Sequence, residues 1–272
     1  MSKQVFCPRI KSILLYIIMC ASLLSITSYI WLSRPMKKKS NSTNIQHFIA
    51  HAGGGIDGYI YTNSKEAVFQ SISEGFSYIE LDLMLSNDDN LLCMHNLKEF
   101  NKMTNVDEDQ PSPSTKEFLS RRIYKKYSPL TLSEALEIQK VHPYILVCDK
   151  TTSPQILNRF INPNVRYRVY VEAQSGDEYY DLQKYGYHAM LALYNNKIPR
   201  YIYHFFINRH RVNWIVTSAE SERDFITLRI LKRLFGVKIA FFSPSNVQYQ
   251  AIEHLGKEID LLYTDFKPQL TY

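Results

Sequence analysis

Cysteine is scarce, with four among 272 residues, and no spacing of them frames a disulfide scaffold or a metal site. Cys7 and Cys20 lie in or before an apolar N-terminal run. Cys93 and Cys148 fall within strand-like segments, where they are expected to be small buried apolar side chains. The compartment stays open, since exported domains need not carry disulfides. A stripe of positive charge is also missing. The net charge is +6, yet Lys and Arg are interspersed with Asp and Glu and no nucleic-acid-binding module is recognisable, so nucleic acid is excluded as an expected partner. No glycine-rich dinucleotide fingerprint and no second domain are present, which disfavours an open doubly wound sheet.

Charged residues are absent from Ile13 to Leu32, twenty positions that match the ~20 a helix needs to cross a bilayer. Lys3, Arg9 and Lys11 precede this run, and Arg34, Lys37, Lys38 and Lys39 follow it, a near balance that leaves the orientation open. A cleavable signal peptide has a shorter apolar core of ~7–15 residues and a small-x-small site, so an uncleaved anchor is the better reading. The lysines at 37–39 either lie near lipid headgroups or form a solvated stop signal. The expected organisation is a short tail over 1–12, a transmembrane anchor over 13–32, a basic polar linker over 33–45 and one domain over 46–272. A single-pass membrane protein follows.

Within that domain a rhythm is present. Strand-like runs occur at Phe48–Ala52, Tyr78–Leu85, Tyr144–Cys148, Arg168–Val171, Met190–Leu193, Trp214–Val216, Ile239–Phe242 and Leu261–Tyr263. Helix-like stretches separate them at Asn63–Gly75, Pro154–Ile161, Asp177–Tyr185, Ile198–Asn208, Arg223–Phe235 and Val247–Ile259. Alternation of this kind predicts parallel strands with helical crossovers, and eight strands close a (β/α)8 TIM barrel preceded by the N-terminal transmembrane helix. The polar stretch Lys98–Thr131 is expected to be an excursion over the active face, with Phe100, Met103, Tyr124 and Tyr127 pinning it or contacting substrate.

The stretch His47–Asn96 organises the rest. His51 ends the first strand-like run before Gly53, Gly54 and Gly55, and His95 closes a third apolar run. In YIELDLML, Glu80, Asp82 and Met84 share the face opposite Ile79, Leu81, Leu83 and Leu85. On a barrel interior two such acids repel unless a cation is present, and Ca²⁺ or Mg²⁺ is the simplest remedy. The alternative is an exposed strand face beside Lys or Arg. Polar groups close the later runs, among them Asp149 and Lys150, Glu172 and Gln174, Thr217 and Ser218, and Thr264 and Asp265. At Thr264 and Asp265 a strand-end turn is the better expectation.

His51-Ala52-Gly53, Thr62-Asn63-Ser64, Glu80-Leu81-Asp82, Ser86-Asn87-Asp88, His95-Asn96 and, more weakly, Leu262-Tyr263-Thr264-Asp265-Phe266 stand in the order and spacing of a known pattern. The chain resembles the glycerophosphodiester phosphodiesterases, within the wider group of phosphatidylinositol-specific phospholipase C-like barrels. The resemblance implies that His51 and His95 act as acid and base and that Glu80 and Asp82 bind a divalent metal ion. It further assigns Asp149 to the metal and Lys150 to the phosphate, while Glu172 is the rival third carboxylate and a candidate substrate-binding residue. The chain departs from the family where Ala52 stands for an arginine, Thr62 for a glutamate and Asn96 for an aspartate, and where Asp149-Lys150 is adjacent in place of a Glu-x-Lys spacing.

The expected function is a membrane-anchored, metal-dependent phosphodiester hydrolase using His/His acid–base catalysis. Its substrate would be a glycerophosphodiester, a related lipid headgroup or a surface glycan phosphodiester. By analogy its catalytic domain is expected to be extracytoplasmic. The alternative is a catalytically altered barrel that binds a surface lipid or glycan without turnover.

Overall fold

A computed structural model of the chain describes residues 8–34, 47–193, 212–218, 222–242 and 258–267. Strands β1 (His47–Ala50) and β2 (Tyr78–Leu85) pair in parallel, and β2 continues through β5 (Ile145–Lys150), β6 (Val169–Ala173), β7 (His188–Leu193), β8 (Trp214–Thr217), β9 (Lys238–Phe241) and β10 (Leu261–Thr264). β10 returns to β1, so these eight strands form a closed parallel barrel. All eight match the expected runs. The expected helices at Ile198–Asn208 and over most of Val247–Ile259 lie outside the described residues.

The helices α2 (Lys65–Ser73), α5 (Leu132–Val141), α6 (Pro154–Leu157), α7 (Gly176–Lys184) and α8 (Glu222–Phe235) follow barrel strands or the excursion. Ser64 caps α2 by accepting from the Ala67 amide, and Thr131 and Glu134 form a capping box on α5. Strand alternation sorts the apolar side chains into two cores. Ile79, Leu81, Leu83, Leu146, Cys148, Val171 and Leu191 face outward against the helices. Ile49, Val147, Met190, Val216, Ala240, Leu261 and Tyr263 fill the barrel interior. Cys93 and Cys148 are buried free thiols, as expected from their apolar surroundings.

The excursion is more ordered than a polar loop. β3 (Leu91–Cys93) and β4 (Leu130–Thr131) add antiparallel strands beside β2, and between them lie α3 (Leu97–Met103) and α4 (Thr115–Ser120). Phe100, Phe118, Ile123 and Tyr127 are buried with Leu92 and Met94 in a satellite core, with Met103 against it. Each fully buried side chain contributes about 1.5–3 kcal/mol. Phe100, Met103 and Tyr127 therefore pin the excursion, and Tyr124 is 40% exposed.

The apolar run Ile13–Leu32 lies in the 26-residue helix α1 (Pro8–Ser33). Among the described residues no helix is long and apolar enough to cross a membrane. The described side chains of α1 within the helix run only over 18–31, and there Ile18, Leu23, Leu24, Ile26 and Trp31 are exposed. Arg233 of α8 donates to the Trp31 carbonyl at 2.8 Å. The expected linker lies almost wholly outside the described residues.

Between β1 and α2 the backbone turns tightly over the barrel mouth. Gly54 has φ +95°, and a Cβ there would run into Ser71 Oγ, which donates to the Gly53 carbonyl at 2.8 Å. Gly54→Ala therefore has to break that bond and hold a strained backbone, costing about 1–3 kcal/mol. Urea unfolding measures this, and an unchanged midpoint would exclude this loop geometry.

Candidate active site

The first histidine follows β1 directly. His51 is buried, and its Nδ1 lies 2.9 Å from Asp265 Oδ1, just beyond β10. A carboxylate only accepts, so Nδ1 carries the hydrogen, which in a neutral ring makes Nε2 the acceptor. The expectation of a turn role for Asp265 is corrected by this contact. The parallel pairing of β1 with β10 brings residues 214 positions apart together. Thr264 keeps the turn role, its hydroxyl donating to the Phe266 carbonyl.

The second histidine is arranged in the same way. His95 Nδ1 lies 3.2 Å from Asp82 Oδ1. This hydrogen bond raises the imidazole pKa against the opposing effect of burial. Burial also works to raise the Asp82 carboxyl, but hydrogen bonds from His95 and Asn63 outweigh it and hold Asp82 below its ordinary value. Asn63 clamps Asp82 twice: its side-chain amide donates to Oδ2 at 2.9 Å, and its carbonyl oxygen accepts from the Asp82 backbone at 3.0 Å.

Glu80 is the least comfortable of these groups. It is 2% exposed, and Oε2 accepts from the Ala52 amide at 2.7 Å. Oε1 is buried with no hydrogen-bond partner among the described residues. Burial, then the charges of Asp82, Asp149 and Glu172, push its pKa well above the carboxylate range. Asp149 is also raised, chiefly by burial, with Lys150 opposing. In the register of β2 with β5, Asp82 sits beside Asp149 and Glu80 beside Val147. One oxygen each from Glu80, Asp82 and Asp149 lies within 4.8 Å of the others. An orphaned buried oxygen among three converging carboxylates fits a hard divalent cation with oxygen ligands.

Lys150 completes the group, with Nζ 3.4 Å from Asp149 Oδ2 and 3.8 Å from Asp82 Oδ1. Gln174 donates to Asp149 at 3.1 Å. Glu172 is buried deeper in the barrel, where it accepts from the Tyr263 hydroxyl, and it stands outside the three-carboxylate cluster. Of the departures, Thr62 hydrogen-bonds Ser64 at 3.0 Å, and Asn96 caps α3 by accepting from the Glu99 amide at 2.8 Å. Ala52 is fully buried at φ 49° and brings no charge. Sequence reasoning therefore anticipates five residues that meet at the barrel mouth, His51, Glu80, Asp82, His95 and Asp149, with Lys150 beside them. It misses Asp265 and Asn63 as their supports, although both stand in the matched motifs.

Residues 54–204 match the glycerophosphoryl diester phosphodiesterase family. Comparison with curated proteins finds no match. Among solved structures, a glycerophosphoryl diester phosphodiesterase from Parabacteroides distasonis superposes with a TM-score of 0.61 at 16% identity, covering 80% of this chain and 82% of that one. A phosphodiesterase from Oleispira antarctica, solved with the product sn-glycerol-3-phosphate, gives 0.58 at 13% identity, covering 80% and 92%. A glycerophosphodiester phosphodiesterase from Agrobacterium tumefaciens gives 0.57 at 15% identity, covering 80% and 96%. At such identities the likeness shows a common fold. The family match spans more than half of the 272 residues, and the chain belongs to the glycerophosphoryl diester phosphodiesterase family of phosphoric diester hydrolases.

Proposed function

We propose that the protein is a metal-dependent hydrolase of a glycerophosphodiester, or of a related lipid-headgroup or surface-glycan phosphodiester. The observation that carries this reading is the convergence of Glu80, Asp82 and Asp149 beside two histidines whose Nδ1 atoms are each held by a carboxylate. Glu80, Asp82 and Asp149 would hold the cation, Ca²⁺ or Mg²⁺. When bound, it offsets the negative charge that otherwise repels a nucleophile from the phosphodiester.

The chain's own groups do the rest. One histidine accepts the proton of a substrate hydroxyl at Nε2 as that oxygen attacks phosphorus. The other donates its proton to the departing alcohol oxygen as the P–O bond breaks, leaving a cyclic phosphate. Water then opens it, giving a proton to the second histidine while the first returns its proton to the ring oxygen that leaves phosphorus. Asp265 and Asp82 orient the two rings and fix the tautomers. In this reading Lys150 meets a phosphoryl oxygen and Glu172, which accepts from the Tyr263 hydroxyl, is the further substrate-side carboxylate. Residues 46–272 form the catalytic domain in this reading. A single-pass anchor over 13–32 and an extracytoplasmic catalytic domain belong to the proposal, the anchor on the ground of the charge-free run Ile13–Leu32 in the sequence.

The test is release of alcohol from a panel of glycerophosphodiesters by the full-length protein, with Ca²⁺, Mg²⁺ or a chelator. Turnover that needs the ion supports the reading. Metal binding by calorimetry with no turnover on any panel member would instead favour a barrel that binds a surface lipid or glycan, in keeping with the uncharged Ala52.

A further inference from the structure

Tyr61 stands between the two histidines. Its ring centroid is 4.6 Å from that of His51 and 5.0 Å from that of His95, tilted edge-on to both. No other described aromatic ring contacts both imidazoles. The backbone at Tyr61 is left-handed, φ 60°, a conformation that costs an aromatic residue on the order of 1–3 kcal/mol and persists only where surroundings impose it. They are identifiable here. Two residues on, the Asn63 amide donates to the Ala52 carbonyl at 2.9 Å, and the Asn63 side chain is clamped to Asp82. The strained segment is thus tied at its end to one of the site's own carboxylates.

The phenol forms no hydrogen bond with any described residue. Burial and the charges of Asp265, Asp82 and Glu80 push it up to about 12, so it stays a neutral donor at physiological pH. Residue 52, on the same loop, supplies no positive charge, and its amide is already given to Glu80. A half-buried donor between two imidazoles, with no acceptor among the described residues, stands beside the position where the proposed reaction puts a phosphoryl group.

We propose that Tyr61 is a substrate-contacting residue whose phenol donates a hydrogen bond to a non-bridging oxygen of the phosphodiester held between His51 and His95. It serves as a neutral anion-binding group on the side of the site where residue 52 carries no charge. This deepens the phosphodiesterase reading and rests on it.

Tyr61→Phe keeps the ring and removes only the hydroxyl. In the full-length, Ca²⁺-loaded protein, kcat/KM on sn-glycero-3-phosphocholine is expected to fall about 10- to 100-fold, the effect of losing one hydrogen bond to a charged oxygen. Calorimetric affinity for sn-glycerol 3-phosphate should fall with it, while Ca²⁺ affinity and the thermal midpoint stay at wild-type values. Unchanged kcat/KM together with unchanged affinity for sn-glycerol 3-phosphate overturns the proposal and leaves the phosphodiesterase reading standing. Loss of Ca²⁺ affinity or of the thermal midpoint assigns the hydroxyl a structural role and overturns it too. If the wild type turns over no diester yet binds sn-glycerol 3-phosphate more tightly than Tyr61→Phe, the contact stands and the catalytic reading falls. If the wild type does neither, both fall.

Discussion

Glu80→Gln is expected to lower metal-dependent turnover by about 10³-fold or more and, in the metal-free protein, to raise the thermal midpoint. The first effect follows from removing one of three anionic ligands from a cluster worth several kcal/mol of charge stabilisation. The second follows from burial: Glu80 is 2% exposed, its Oε1 has no partner among the described residues, and its pKa is pushed well up by burial and by Asp82, Asp149 and Glu172. The sign is fixed by linkage. A carboxyl whose folded pKa is raised contributes its stability below the unfolded pKa and loses it as pH rises through the folded pKa. The advantage of Gln over Glu in metal-free protein is therefore greatest above the folded pKa and shrinks as pH falls. Added Ca²⁺ should reverse the order, stabilising the wild type more than the variant. Thermal unfolding across pH, with and without chelator, measures all three. A variant that is less stable than wild type without metal at every pH would show that Glu80 is not under electrostatic stress.

Asp265→Asn should lower kcat by about 10³- to 10⁴-fold with little change in Ca²⁺ affinity. The substitution puts a carboxamide against His51 Nδ1 in place of a carboxylate. An amide that donates to Nδ1 moves the ring proton to Nε2 and reverses the group facing substrate. His51→Ala should cost at least as much. Because both substitutions act on one unit, the double variant is expected to be no worse than His51→Ala alone. Fully additive losses would separate Asp265 from His51. The carboxylate side chain is 23% exposed, so its removal is expected to leave the fold intact, which circular dichroism checks.

The barrel is legible because of what parallel strands must bury. Strands covered on both faces read as near-continuous apolar runs, and the eight runs read as barrel strands here are barrel strands. Glu80 and Asp82 are legible because polar side chains interrupting that pattern at period two need a reason. Glycines, capping residues and the order of motifs along the chain carry the rest. The excursion is not legible in the same way. Phe100, Phe118, Ile123 and Tyr127 show no period, because they are buried by contact with Leu92 and Met94 and not by one face of one long element. α5 escapes a linear reading for a related reason: it sits against β3 and β4, and β4 is only two residues long, too short for an apolar run to announce it.

Sequence by itself determined which residue types stand at strand ends: two histidines, three acids and a lysine, in an order set by the alternation of strands and helices. Tertiary structure alone decided which of them meet. His51 finds Asp265 because the last strand closes on the first, Asn63 grips Asp82 across the mouth, and Tyr61 is held at φ 60° between two rings. Ring closure is a property of the whole sheet. A contact that joins residues 214 positions apart depends on strand twist and tilt accumulated over every intervening strand, and no local pattern carries that.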